Sequence, residues 1–247
     1  MTWHYVNRQI DPNANIILVY LKLAANVTWS GVDLFFVLSG FLIGGILLDH
    51  RECPNYFQVF YIRRACRIFP LYFALVLLFL VLSQNSSPSY AWLFSHALPT
   101  WSYLTFTQNY LVHSFDKGAH WLGITWSLAV EEQFYLGLPL LIRFAPAPLL
   151  VFILLTLILL APIMRLWVGG VGSFTYAFCR ADALLIGALL AWLYRKPLFV
   201  EFLGQNRVIC WSILSIMILF TSFVPLILMN LAVSAITFGS QFSTGYS

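Results

Sequence analysis

The chain has 247 residues, of which 61% are hydrophobic and only 9% are charged, and its mean hydropathy is +0.84. A soluble domain carries about 25% charged residues, so this composition argues against an ordinary soluble fold and favours a membrane protein. The net charge of +4 comes from basic residues near the ends of apolar segments, which favours membrane topology signals over a nucleic-acid surface. The four cysteines form no metal-binding pattern, so we expect no metal site.

Apolar segments along the chain predict membrane-crossing helices, each of which needs about 20 residues. The predicted crossings are residues 32–48, 68–83, 121–142, 149–167, 176–194 and 208–229. Residues 49–67 are polar and basic, Pro70 is expected in the first turn of a helix, and Pro162 is expected to break one. Residues 90–112 are aromatic and less apolar, so we interpret them as an interfacial or re-entrant segment. The fold class is therefore an all-α, polytopic transmembrane helix bundle of about six to seven crossings.

The basic residues give this bundle an orientation, because cytoplasmic loops carry an excess of Lys and Arg. If residues 49–67 are cytoplasmic, eight Lys and Arg fall on the cytoplasmic side and five on the outer side. The eight are Arg51, Arg63, Arg64, Arg67, Arg143, Arg195, Lys196 and Arg207. This orientation puts His4, Asp33 and residues 84–120 on the outer side.

The first crossing carries one acid, Asp33, at its start. An ionisable residue in a membrane helix is costly unless it is paired or functional. Gly40 and Gly44 are spaced for close packing against another helix. Asp33 is therefore a candidate functional acid, and pairing with a nearby cation is the alternative.

The crossing at 121–142 contains two adjacent carboxylates, Glu131 and Glu132. Ser127, Glu131 and Tyr135 are four residues apart in succession, so they share one helix face, and Glu132 points about 100° away. Such acids could serve as a general acid or base or as a proton relay; a structural pair with an arginine is the alternative. Ser127 and Tyr135 are candidate substrate-binding residues.

Basic residues cluster just before the second crossing, at Arg63, Arg64 and Arg67. If that segment is helical, they line one side of it and could hold the phosphates of a cytosolic cofactor. The alternative is an anchor to lipid headgroups.

Two further sites carry chemistry-bearing side chains. Arg180 and Asp182 lie at the start of the predicted crossing 176–194. The simplest interpretation is that their opposite charges compensate each other locally. Close packing of the same crossing is expected at Gly187. Arg180 and Asp182 are also candidate substrate-binding residues. His4 could take a proton from an attacking hydroxyl, although a terminal histidine carries little weight by itself.

Four blocks of sequence resemble the acyltransferase-3 family of integral-membrane O-acyltransferases, in their order and approximate spacing, over about residues 3–195. The blocks are Gly31-Val-Asp-Leu-Phe-Phe-Val-Leu-Ser-Gly-Phe-Leu-Ile43, Tyr61-Ile-Arg-Arg-Ala-Cys-Arg-Ile-Phe-Pro-Leu-Tyr72, Trp126-Ser-Leu-Ala-Val-Glu-Glu-Gln-Phe-Tyr135 and Arg180-Ala-Asp-Ala-Leu-Leu-Ile-Gly187. The resemblance implies transfer of an acyl group, usually acetyl, from cytosolic acetyl-CoA as co-substrate. It also implies a glycan or glycolipid acceptor at the cell envelope, and a multi-pass protein in the bacterial inner membrane.

The same resemblance implies about ten transmembrane helices and a catalytic histidine in the first of them. His4, within Trp3-His-Tyr5, matches the end of that histidine motif. The arginine that the family places upstream has no counterpart, so we expect residues 1–247 to be a single partial transmembrane acyltransferase domain, truncated at both ends.

These residues combine into one mechanistic hypothesis. In it, the phosphates of acetyl-CoA are held by Arg63, Arg64 and Arg67, and His4 activates the acceptor hydroxyl. An acid, Glu131 or Asp33, orients these reacting groups or supplies a charge beside them. Two alternatives stay open: an inactive fragment of such an enzyme, and a proton-coupled transporter.

Overall fold

A computed structural model of the chain describes residues 30–85, 97–112, 122–169 and 172–206, together with residues 94, 208 and 212. His4 and the predicted crossing at 208–229, apart from those last two positions, lie outside the described residues. All regular secondary structure in the described ranges is helical, which confirms the all-α prediction.

The structure gives the bounds of the following helices among the described residues. In chain order they are α1 (Ser30–Asp49), α2 (Tyr56–Gln84), α3 (Thr100–Leu104), α4 (Gln108–Leu111), α5 (Trp126–Phe144), α6 (Ala147–Val168), α7 (Gly172–Thr175), α8 (Ala177–Leu193) and α9 (Pro197–Gln205). A short 3-10 turn over Gly123–Thr125 leads into α5.

Within the part of the chain that the structure describes, four helical stretches are long and apolar enough to cross a membrane: α1, α2, α6 and the stretch from Gly172 to Leu193. Helix α5 has 19 residues, close to the length of α1. It is not one of these four stretches, and it carries three charged residues, Glu131, Glu132 and Arg143. The chain is therefore a multi-pass membrane protein, as predicted.

The chain divides into two compact units, residues 36–195 and residues 1–35 with 196–247. The first unit contains α2 to α8 and most of α1. The second unit contributes the first turn of α1, with Asp33, and the nine-residue helix α9. An acid in the first turn of a helix is favoured by the helix dipole.

Two predicted boundaries were wrong. Helix α2 begins at Tyr56 and spans 29 residues, so the basic segment is helical and Pro70 lies inside the helix. The reason is that Tyr56 and Phe60, one turn apart, are both buried and extend the apolar face of α2 beyond the apolar run. Helix α6 likewise continues through Pro162. Prolines are tolerated in membrane helices because neighbouring groups satisfy the freed carbonyls.

Helices α1 and α8 pack through small residues. A side-chain carbon built on Gly40 would overlap the carbonyl oxygen of Leu184, and one on Gly44 would lie 2.9 Å from Cα of Ala188. On α8, a side chain at Gly187 would overlap the backbone of α1. The predicted close packing of these glycines is confirmed.

Arginines hold together one end of the 36–195 unit, which we call the arginine end. Arg51 donates a hydrogen bond to the carbonyl of Ala145 at 2.6 Å, and Arg143 donates to the carbonyl of Arg51. Arg195 donates to Asp49 at 2.6 and 2.8 Å. The structure thus brings Arg51, Arg143 and Arg195 to the same end of the unit, as the charge distribution predicts.

Residues 97–112 contain two short helices in which the polar residues Ser102, Gln108 and Asn109 are buried. Gln108 donates to the hydroxyl of Tyr72 at 3.1 Å, and Asn109 donates to the carbonyl of Thr175 at 3.1 Å. Gln133 of α5 donates to the Asn109 side chain at 2.9 Å. This segment is therefore tied to α2, α5 and α7, and its interfacial or re-entrant placement stays a prediction.

Candidate active site

Three polar side chains form a hydrogen-bonded chain in the interior. The hydroxyl of Tyr135 donates to Oε1 of Glu131 at 3.1 Å, and the hydroxyl of Ser39 shares a hydrogen bond with the Tyr135 hydroxyl. Glu131 is 4% exposed, Tyr135 is 2% exposed, and Ser39 is half-buried beside them. We call Ser39, Tyr135 and Glu131 the buried trio.

The local sequence explains how this trio forms. Glu131 and Tyr135 are four residues apart on α5, so they meet on one helix face, as predicted. Consecutive residues on a helix point about 100° apart, so Ser39 can face α5 while Gly40 faces α8. Sequence reasoning missed Ser39. The available signal was that it is the one polar side chain in the apolar run 34–48.

Ser127 shares the predicted helix face but does not join the buried trio. Its hydroxyl donates to the carbonyl of Ile124 at 3.3 Å. Serine near the start of a helix often bonds a carbonyl one turn back. The substrate-binding role assigned to Ser127 stays a prediction.

Arg64 of α2 lies directly against the trio. Its guanidinium carbon is 4.1 Å from the centroid of the Tyr135 ring and 6.0 Å from that of Phe60. Arginine stacks on aromatic faces in this way because its planar cation is weakly hydrated. The charge of Arg64 also acts on Glu131 and Glu132. Arg64 therefore supplies the positive charge beside the two acids.

Glu132 has surroundings different from those of Glu131, as predicted. Its Oε1 atom is buried, and no group in the described part of the chain forms a hydrogen bond with it. Buried polar atoms usually have a hydrogen-bond partner, so a buried carboxylate oxygen without one indicates a functional role for Glu132.

A groove with a volume of about 220 Å³ lies between α1 and α2. One wall is apolar, formed by Ile43 and Leu47 of α1 with Phe60 of α2 and their neighbours. The three predicted arginines, Arg63, Arg64 and Arg67, follow Phe60 on α2 and line the same groove. We call this feature the arginine groove. Its cations and apolar wall suit an anionic ligand with an apolar part.

The structure divides the arginines into two groups. Arg51, Arg143, Arg165 and Arg195 each contact a carboxylate or a backbone carbonyl. In contrast, Arg63, Arg64 and Arg67 form no hydrogen bond or ion pair with any other described residue. Among the described arginines, those left available for a ligand are therefore the three that line the arginine groove.

The predicted local pairing of Arg180 with Asp182 is wrong. Asp182 instead forms an ion pair with Arg165 of α6. The reason is geometric, because residues two apart on a helix do not face each other. Arg180 is 4% exposed, and its guanidinium carbon lies 6.0 Å from the centroid of the Phe36 ring. Their substrate-binding roles stay predictions.

The roles of the two remaining candidates also stay predictions. Asp33 lies in the first turn of α1 and belongs to the second unit. His4 lies outside the described residues.

Buried carboxylate oxygens near an arginine-lined groove, in a chain with several helices that could cross a membrane, define the class of multi-pass membrane proteins with a candidate site for an anionic ligand. The particular family follows from the sequence. The acyltransferase-3 family model, described as an acyltransferase domain, matches residues 1–245. The chain belongs to this family.

Three curated proteins are similar to the chain. A peptidoglycan O-acetyltransferase, OatA, of Listeria monocytogenes is 31% identical over 137 residues, which cover 50% of this chain and 22% of the relative. The O-acetyltransferase OatA of Staphylococcus aureus is 29% identical over 207 residues, covering 75% of this chain and 33% of the relative. An uncharacterized protein of Haemophilus influenzae is 34% identical over 124 residues, covering 46% of this chain and 49% of the relative. The chain thus spans half or less of each of these relatives, and no solved structure matches it.

Proposed function

We propose that the chain is a membrane O-acyltransferase that moves an acetyl group from acetyl-CoA to a hydroxyl of a cell-envelope or exported glycan. The observation that carries this proposal is the arginine groove, which joins unpaired cations to the buried trio through Arg64. Membership of an acyltransferase family supports the reaction class. The names of the Listeria and Staphylococcus relatives support O-acetylation, and the Listeria name supports peptidoglycan as the type of acceptor.

The donor has the chemistry that the arginine groove would recognise. Coenzyme A carries several phosphates and a long, less polar arm that ends in the thioester. Exposed Arg63 and Arg67 would bind phosphates by charge-assisted hydrogen bonds. The apolar wall formed by Ile43 and Leu47 would pack along the arm and lead the acetyl group towards Tyr135.

The transfer itself needs a base for the acceptor hydroxyl. In the proposed reaction the hydroxyl oxygen attacks the thioester carbonyl carbon, the C–S bond breaks, and coenzyme A leaves as a thiolate. His4 would take the hydroxyl proton. Glu131, which is hydrogen-bonded to Tyr135, would orient the reacting groups or supply a charge beside them, and Asp33 is the second candidate for that role.

The membrane location follows from the same proposal. The arginine end, with the donor groove near it, would face the cytoplasm, where acetyl-CoA is made, and the acceptor would reach the site from the other side. We place the protein in the inner membrane of a bacterium, where the positive-inside rule gives this orientation.

Mass spectrometry of cell-envelope glycans tests the proposal directly. Cells with the intact gene should carry an acetyl mass on their glycan that cells without the gene lack. His4→Ala should remove that mass, whereas Gln205→Ala on α9, an exposed side chain that does not line the arginine groove, should keep it. Identical glycans with and without the gene would refute the proposed function.

A further inference from the structure

The three arginines of the groove differ in their surroundings. Arg63 and Arg67 are exposed and four residues apart, so they share one face of α2. Arg64 is half-buried and points about 100° away from Arg63, towards α5. One groove therefore presents two cations to solvent and a third to the buried trio.

Arg64 is held by contact of its guanidinium group with the Tyr135 ring and not by hydrogen bonds from its N–H groups to any described residue. The Tyr135 ring lies 4.1 Å from the guanidinium carbon, and the Tyr135 hydroxyl is itself bonded to Ser39 and Glu131. No described residue accepts a hydrogen bond from Arg64, whereas Arg195 bonds both a carboxylate and a carbonyl. The donors of Arg64 thus remain available at a fixed position where the groove meets the trio.

We infer that Arg64 donates hydrogen bonds to the thioester carbonyl oxygen of the donor, while Arg63 and Arg67 bind the donor's phosphates. This inference rests on the proposed function and separates three arginines that their spacing alone would group together. It makes Arg64 a catalytic residue and the other two binding residues.

The bond changes show why this position matters. When the acceptor oxygen attacks the carbonyl carbon, the C=O electron pair moves onto the carbonyl oxygen, and Arg64 stabilises that negative charge. The pair then re-forms C=O, the C–S bond breaks, and the thiolate leaves. The proton lost by the acceptor hydroxyl passes to the base and from there to the thiolate sulfur, so atoms and charge balance.

The two roles predict different kinetics. Loss of one donor to a developing oxyanion costs about 10² to 10³ in kcat. Loss of a charge-assisted hydrogen bond to a phosphate weakens donor binding, by about tenfold or more in KM, and leaves kcat unchanged. A donor that lacks phosphates should separate these effects, because S-acetylpantetheine keeps the thioester but has nothing for Arg63 and Arg67 to bind.

The test uses the full chain in membrane vesicles from the cells that carry the gene, so the native acceptor is present, and measures thiol release from acetyl-CoA and from S-acetylpantetheine. Arg67→Gln should raise KM for acetyl-CoA and have no effect with S-acetylpantetheine. Arg64→Gln should lower kcat about 100-fold or more with both donors, and Arg64→Lys, which keeps a charged donor, should lose less.

Three outcomes are decisive. If Arg64→Gln raises only KM for acetyl-CoA and behaves as the wild type with S-acetylpantetheine, Arg64 is a phosphate ligand and the inference is overturned. If Arg64→Ala regains part of its rate when guanidinium chloride is added at millimolar concentration, a merely structural role is excluded and the inference stands. If wild-type vesicles release no more thiol than vesicles from cells without the gene, the proposed function fails, and the inference falls with it.

Discussion

Replacement of Gly40 by alanine tests whether the contact between α1 and α8 supports the whole site. The new side-chain carbon would overlap the carbonyl oxygen of Leu184, which is backbone and cannot rotate away. The two helices must therefore separate along their contact. Overpacking of this kind costs about 1–3 kcal/mol, and we expect the upper end because the overlap is with backbone. For a chain of this size, about 3 kcal/mol lowers Tm by about 6–12 °C.

The control is Gly137→Ala on α5. No atom of another helix lies within 4 Å of a side-chain carbon at Gly137, so the change should leave Tm within about 2 °C or raise it slightly, since alanine favours a helix. Both variants are measured in the same detergent by thermal unfolding followed with circular dichroism. Equal Tm values for Gly40→Ala and Gly137→Ala would refute the close contact between α1 and α8.

Two further predictions concern the interior contacts. Tyr135→Phe keeps the ring under Arg64 but removes the hydroxyl of the buried trio, so the rate of acetyl transfer should fall about 10- to 100-fold with KM for acetyl-CoA unchanged, as measured by thiol release. A normal kcat would show that the trio has no part in transfer. Asp182→Asn leaves Arg165 without its carboxylate in a partly buried site, so stability in detergent should fall by about 2 kcal/mol. Adding Arg165→Met should recover most of that loss, and no recovery would contradict the ion pair.

The sequence predicts best those features that depend on local periodicity. The apolar run of α1 has the length of a crossing, and the four-residue spacing of Glu131 and Tyr135 places both on one face of α5. The spacing of Gly40 and Gly44 likewise predicts a close helix contact. Each of these conclusions needs only the geometry of a single helix.

Contacts between helices were predicted poorly because they depend on which helices become neighbours. Ser39 is 96 residues away from Tyr135 in the chain, and no local pattern connects them. Asp182 has an arginine two positions before it, yet its partner is Arg165 of the preceding long helix. The start of α2 was also misplaced, since the polar and basic side chains concealed a buried face that includes Phe60.

Helix α1 links the packing of the bundle to the proposed chemistry, because its consecutive residues face different partners. Gly40 faces α8, Ser39 bonds Tyr135 of α5, and Ile43 and Leu47 form part of the wall of the arginine groove. A rigid helix cannot move one of these faces without moving the others. The close approach that glycine permits at α8 therefore also fixes the distance between the groove and the buried trio. It follows that Gly40→Ala should lower acetyl transfer even in folded protein, although no atom of Gly40 lies in the site.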